Sequence, residues 1–92
     1  MTTPITNGNI YAAVNEWITN RSYAETTYGH ISNWDVSGVT DMSNLFFDRS
    51  DFNDDISGWN VGNVENMSEM FRNASSFDQD ISGWDVSAVT NM

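Results

Sequence analysis

From Ile31 onward this chain repeats itself every 25 residues, and that periodicity constrains its fold more than any other feature. Ile31, Ile56 and Ile81 fall in register, as do Ser32, Ser57 and Ser82, and Trp34, Trp59 and Trp84. The match continues through Val36, Val61 and Val86, then Val39, Val64 and Val89, then Met42, Met67 and Met92. It runs on without a gap to Leu45 and Met70, Phe46 and Phe71, and Phe52 and Phe77. A fixed period of roughly 20–50 residues marks a solenoid or array, in which a unit too small to bury its own apolar face stacks on its neighbour. The units are 31–55, 56–80 and a broken third, 81–92.

Within a unit, the Trp-x-Val alternation places two side chains on one face of a short strand. Strands are expected at roughly 33–37, 58–62 and 83–87, stacked in parallel. Thr40-Asp41-Met42-Ser43-Asn44-Leu45-Phe46 and Glu65-Asn66-Met67-Ser68-Glu69-Met70-Phe71 then bring apolar residues at i, i+3 and i+4 behind a capping side chain. That pattern predicts a helical turn or two with one buried stripe. The rest of each unit is turn-rich, with Phe52 or Phe77 pinning it to the core. The expected fold is therefore an α/β repeat: a right-handed, leucine-rich-repeat-like solenoid of short parallel strands and short helices.

Residues 1–30 do not share the repeat. Behind Thr6 or Asn7 as cap, Ile10, Ala13, Val14, Trp17 and Ile18 form an apolar helical stripe. Ser22-x-x-Glu25 reads as a capping box for a second short helix, with Ala24 and Tyr28 inward and Gly29 as terminator. One apolar stripe with a polar back suits an end-cap, so 1–30 is read as an N-terminal helical cap and 31–92 as the repeat region. The repeat breaks off at Met92, where the next helix should begin. The second unit is then expected to be half covered, with the chain continuing or another molecule sitting on Trp84, Val86, Val89 and Met92.

Thirteen acidic residues against three basic ones give a net charge of −10. Such a surface repels phosphate, so nucleic acid and anionic membranes are not expected partners. No apolar run approaches the ~20 residues that span a bilayer, and Met1–Ile5 has neither the basic nor the apolar region of a signal peptide. Without cysteine there is no disulfide and no thiolate metal site.

The run Ile-Ser-Gly-Trp-Asp/Asn-Val-Ser-x-Val-Thr-Asp/Asn-Met-Ser-x-Met/Leu-Phe, followed by Phe-Asn/Asp-x-Asp-Ile-Ser-x-Trp, resembles the BspA-type leucine-rich repeats of bacterial surface proteins and lipoproteins. The resemblance covers residues 31–92. It implies an extracellular or cell-surface setting, adhesion or protein binding, and no catalytic residues.

The residues offer little for catalysis. His30, the only histidine, stands in the slot of Asp55 and Asp80 and reads as a polar residue at the cap–repeat junction. Asp55 stacks in register with Asp80, and Asp54 with Gln79, while Asp51 and Asp78 lie nearby. Like charges so placed need neutralising. Ca²⁺ held by Asp54, Asp55, Asp78 and Asp80 is one solution. Asx-turns, in which each Asp accepts the N–H groups ahead of it, are the other, and they are preferred because no known Ca²⁺-loop spacing is present. No other cofactor is implied.

The outward strand face would carry Asn33, Asp35, Ser37, Asn60, Asp85 and Ser87, a small, polar, acidic surface that reads first as a plain solvated face and otherwise as a place for a basic or sugar-like ligand or a protein partner. The Trp column is expected to point inward. The function these readings favour is a non-enzymatic surface binding or adhesion module. The alternative is a structural subunit that assembles with itself, as dimer or fibre, through its uncapped C-terminal repeat.

Overall fold

The computed structural model describes residues 3–91. Two α-helices lead, α1 (Ile10–Thr19) and α2 (Arg21–Tyr28), followed by a single 3-10 turn at Ile31–Asn33. Helix α1 buries Ile10, Ala13, Val14 and Trp17, with Ile18 partly buried, as the apolar stripe requires. Neither predicted helix start is right in detail. Asn9 is the residue before α1, and its side chain accepts from Thr6 N–H instead of capping the helix. Helix α2 begins at Arg21, one residue before the expected capping box, so Ser22 lies inside it. Gly29 ends α2 with φ 86°, a left-handed conformation that suits a residue without Cβ.

The expected α/β repeat of parallel strands and short helices is not what the rest of the chain forms. Among the described residues, 33–37, 58–62 and 83–87 are not strands, and 40–46 and 65–71 are not helices. Pairing between units is confined to isolated parallel bridges, Asp41 with Asn66 and Asn66 with Asn91. Each unit is instead a succession of tight turns closed by bonds three residues apart. In the second unit Trp59 N–H donates to Ile56 C=O, Val64 to Val61, Met70 to Met67, Arg72 to Glu69, Ala74 to Phe71 and Phe77 to Ala74.

The physical reason lies in two places. Apolar residues at i and i+3 serve consecutive turns as well as they serve a helix. Asn44 and Asp48, and in the next unit Glu69 and Asn73, then take φ near +60°, which halts any helical run. The residues read as helix caps close Asx-turns: Asp41 Oδ1 accepts from Ser43 N–H at 2.9 Å, and Asn66 Oδ1 from Ser68 N–H at 3.0 Å. The Trp-x-Val segments stay extended only until the Val36–Val39 and Val61–Val64 turns close, too briefly for a ladder.

The 25-residue register is nevertheless the register of packing. Met42, Asn44, Phe46 and Asp48 donate their N–H groups to Asn66, Ser68, Met70 and Arg72 carbonyls at 2.8–3.0 Å. Trp34 and Trp59 stack at 6.2 Å between centroids, Phe46 and Phe71 at 5.5 Å, Phe52 and Phe77 at 5.7 Å. Each indole also reaches back to the preceding unit: Trp59 Nε1 donates to Ile31 C=O at 2.8 Å and Trp84 Nε1 to Ile56 C=O at 3.0 Å. The Trp column thus points inward, and each N–H that burial takes from water finds an acceptor.

On the other side of the first unit, α1 and the residues flanking it supply side chains where a preceding unit would supply backbone. Thr40 N–H donates to Asn7 Oδ1, as Glu65 N–H donates to Thr40 C=O. Tyr11 OH donates to Ser43 C=O, as Asn44 N–H donates to Ser68 C=O. Trp17 Nε1 and Arg21 both hold Asp54 Oδ2, at 2.9 and 3.0 Å, and the Arg21 guanidinium lies 4.5 Å from the Trp17 ring centroid. The apolar core runs continuously from Ile5 through α1 into both units.

Candidate functional site

The polar residues expected to form a ligand-binding strand face are not on a strand, and their side chains serve the turns. Asp35 Oδ1 accepts from the N–H and hydroxyl of Ser37, at 3.0 and 2.6 Å. Asn60 Oδ1 accepts from Gly62 N–H, and Asp85 Oδ1 from Ser87 N–H. Asn63 Nδ2 ties one unit to the previous one through Ser37 C=O at 2.6 Å. Asn33 lies in the 3-10 turn and is exposed. A shallow polar recess of about 200 Å³ does open beside Asn33, Trp34, Asp35 and Ser37, floored by residues 3–5 and Tyr28.

The Asp ladder divides the same way. Asp55 accepts from the N–H and hydroxyl of Ser57, and Asp80 from Ser82 N–H. Hydrogen bonds from the Ser hydroxyl and then the Ser N–H hold the Asp35, Asp55, Asp80 and Asp85 carboxyls below the usual aspartate range. Asp54 is taken by Trp17 and Arg21. Asp78 is fixed through its backbone, its N–H donating to Asn53 Oδ1. The four proposed Ca²⁺ ligands do not converge: among the described residues no group of three or more His, Asp or Glu side chains could hold a metal ion. His30 does the work of Asp55 and Asp80, with Nδ1 accepting from Ser32 N–H at 3.2 Å.

What stands out is the outer face of the second unit. Met67, Met70, Phe71, Ile81, Trp84 and Val86 line an apolar groove of about 650 Å³, with Glu69 and Arg72 ion-paired at 2.8 Å on its rim. Its counterparts one unit earlier are fully covered: Phe46 and Ile56 are 0% exposed and Trp59 is 3% exposed. Phe71, Ile81 and Trp84 are only partly buried.

Of the residues expected at an assembly end, Trp84 and Val86 line this groove. Val89 packs against the core beside it. Met92 lies outside the described residues. Met67, Met70, Phe71 and Ile81 were not expected there, because their core register signals burial and says nothing about which unit lacks a cover.

The groove has a polar edge. In the first unit the N–H groups of Asn44, Phe46 and Asp48 are bonded to the second unit. The equivalent N–H groups of Glu69, Phe71 and Asn73 donate to nothing among the described residues, and Ile81 C=O accepts only the Trp84 N–H of its own turn. No helix among the described residues is long and apolar enough to cross a membrane.

A family model described as Mycoplasma protein of unknown function, DUF285, matches residues 12–92, and the chain belongs to that family. Neither curated proteins nor solved structures yield a match.

Proposed function

We propose, taking that membership as the premise, that the protein is a non-enzymatic binding module of the BspA type. It works at the cell surface and holds a protein partner. The groove on the second unit carries this reading. An exposed apolar recess rimmed by polar residues marks an interaction surface on a chain this acidic, where most of the surface repels association. Aromatic and Met side chains at its floor are the residue types that dominate protein interfaces.

Self-assembly through the same face is the alternative, and the same apolar floor favours it. Against a closed symmetric dimer stands the edge itself, which would bring N–H donors against N–H donors.

Adherence tests the reading. Cells lacking the gene are complemented with wild type or with Trp84→Ser and compared for attachment to protein-coated surfaces, while protease shaving of intact cells reports exposure. Attachment restored by wild type and lost with Trp84→Ser, at equal surface level, supports the groove as the binding site. Equal attachment by both removes the groove from the function. A chain that shaving leaves intact removes the surface location.

A further inference from the structure

Asn7-Gly8 is the single Asn-Gly pair in the chain. An Asn side chain cyclises more readily before Gly than before other residues, because no Cβ shields the next nitrogen and the glycine backbone bends freely. Both residues are exposed, so water reaches them. The fold nevertheless occupies the Asn7 amide at both atoms: Oδ1 accepts from Thr40 N–H at 3.0 Å and Nδ2 donates to Thr40 Oγ1 at 3.1 Å. Gly8 N–H is itself engaged, donating to Thr6 Oγ1 at 3.2 Å.

Thr40 is a fixed partner. Its N–H faces Asn7, while its C=O accepts Glu65 N–H at 2.7 Å and Asn66 N–H at 3.4 Å from the second unit. The turn that carries Asn7 is closed as well. Asn9 Oδ1 accepts from Thr6 N–H, and the N–H groups of Asn9 and Ile10 both donate to Thr6 C=O. Ring closure needs Gly8 N to lose its proton and Asn7 Cγ to become tetrahedral. The second change swings Oδ1 and Nδ2 off Thr40, so the amide must leave the first unit before it reacts.

We propose that Asn7 is a site of self-modification, held silent by the docking of the cap onto the first unit. Once the amide leaves Thr40, Gly8 N forms a bond to Asn7 Cγ and the Cγ–Nδ2 bond breaks. The leaving nitrogen takes the Gly8 proton and departs as ammonia, and a succinimide ring remains. Water then opens the ring at one of its two carbonyls, giving aspartate or isoaspartate.

The two products differ in what they do to the seam. The aspartate keeps its reach to Thr40, since a carboxylate accepts from both the N–H and the hydroxyl. Isoaspartate routes the main chain through the side-chain carbons and lengthens it by one methylene, so the clip cannot close again in register. A passing loss of the cap contact is thereby made permanent in part of the molecules. The site lies on the cap side of the first unit and is independent of what the groove binds.

Incubating the 92-residue protein at mildly alkaline pH and mapping Asn7 by mass spectrometry tests this, with a synthetic peptide of residues 3–12 as the unfolded reference. Asn7 in the protein should convert at least about tenfold more slowly than in the peptide, because two hydrogen bonds have to open first. In urea above the unfolding midpoint the two rates should coincide. Thr40→Val keeps the shape of its side chain and removes the hydroxyl. With the fold intact by Trp fluorescence, it should raise the native rate at least about threefold, while Thr40→Ser stays near wild type. Gly8→Ala, whose added Cβ meets nothing closer than Thr6 Oγ1 at 3.6 Å, should suppress conversion in protein and peptide alike.

Equal conversion in native protein and peptide would overturn the proposal, and that comparison holds even where Thr40→Val fails to fold. A folded Thr40→Val with the wild-type rate would overturn it too, assigning the protection to the Thr6 turn instead of the cap contact.

Discussion

Phe46 and Phe71 hold the same position in successive units, sit against the same Phe-Phe and Phe-Trp neighbours, and differ in what lies above them. Phe46 has Phe71 stacked over it and is 0% exposed, whereas Phe71 looks into the groove. The same contrast holds for Ile56 against Ile81 and Trp59 against Trp84. Identical side chains in identical local turns are therefore core in one unit and interface in the next. Burial here is a property of the stack, and a residue's role is decided by whether a neighbour has arrived.

The comparison is open to measurement. Phe46→Ala should cost about 3–5 kcal/mol and Phe71→Ala about half that or less, read as urea midpoints by Trp fluorescence, because only the first leaves a closed cavity. Equal losses would mean that the two units are equally sealed. Trp59→Phe removes a buried indole donor and should cost about 1–2 kcal/mol; the better solvated Trp84→Phe should cost less. At the opposite end, Tyr11→Phe and Asn7→Ala each take away a side chain that stands in for backbone, and each should cost about 1 kcal/mol in thermal unfolding. If neither lowers the melting temperature, the cap covers the first unit by apolar contact alone.

Smaller effects distinguish the turns. Asn44 and Glu69 share a left-handed conformation, φ 60° and 56°, but Asn tolerates it better than Glu. Glu69→Asn should therefore stabilise by about 0.5–1 kcal/mol, the exposed Arg72 pair it removes being worth little. The smallest expected effect is at the Asx-turns. Asp35, Asp55, Asp80 and Asp85 have carboxyl pKa values held low in the fold by their Ser partners. Their contribution is complete above the unfolded value of about 3.9 and fades as pH falls through the lower folded values. In Ser57→Ala the Asp55 titration, followed by carboxyl-carbon NMR, should move up while Asp80 stays where it is.

Much of this molecule was legible from residue spacing. The period gave the packing register, since 25-residue partners are the ones that stack, and the inward Trp, Val, Met and Phe positions are buried in the first unit. The stripe of α1 was plain because a 10-residue amphipathic helix has few competing readings. The strands and helices of the repeat were misread because Ile-x-x-Trp, Val-x-x-Val and Met-x-x-Leu fit closed turns as well as regular elements. Glu69 in particular carries no mark of a positive φ. The polar face was misplaced for a related reason: Asp35, Asn60 and Asp85 look free in the sequence and are consumed by the N–H two residues ahead. The open row at Glu69, Phe71 and Asn73 could not be read at all, because it depends on backbone direction that alternates without any change in side-chain type.

The indole bonds from Trp59 and Trp84, each to an Ile 28 residues earlier, have a consequence for how the chain reaches its fold. Unit-to-unit bonds span a constant short stretch, so the entropy of closing them does not grow as units accumulate. During synthesis α1 and α2 leave the ribosome before the repeat units, and each later unit can anneal to the surface already made as it emerges. Units that touch only their neighbours let folding spread from one unit to the next, and the tip of such a growing stack is at every moment the same kind of unfilled edge that the second unit presents.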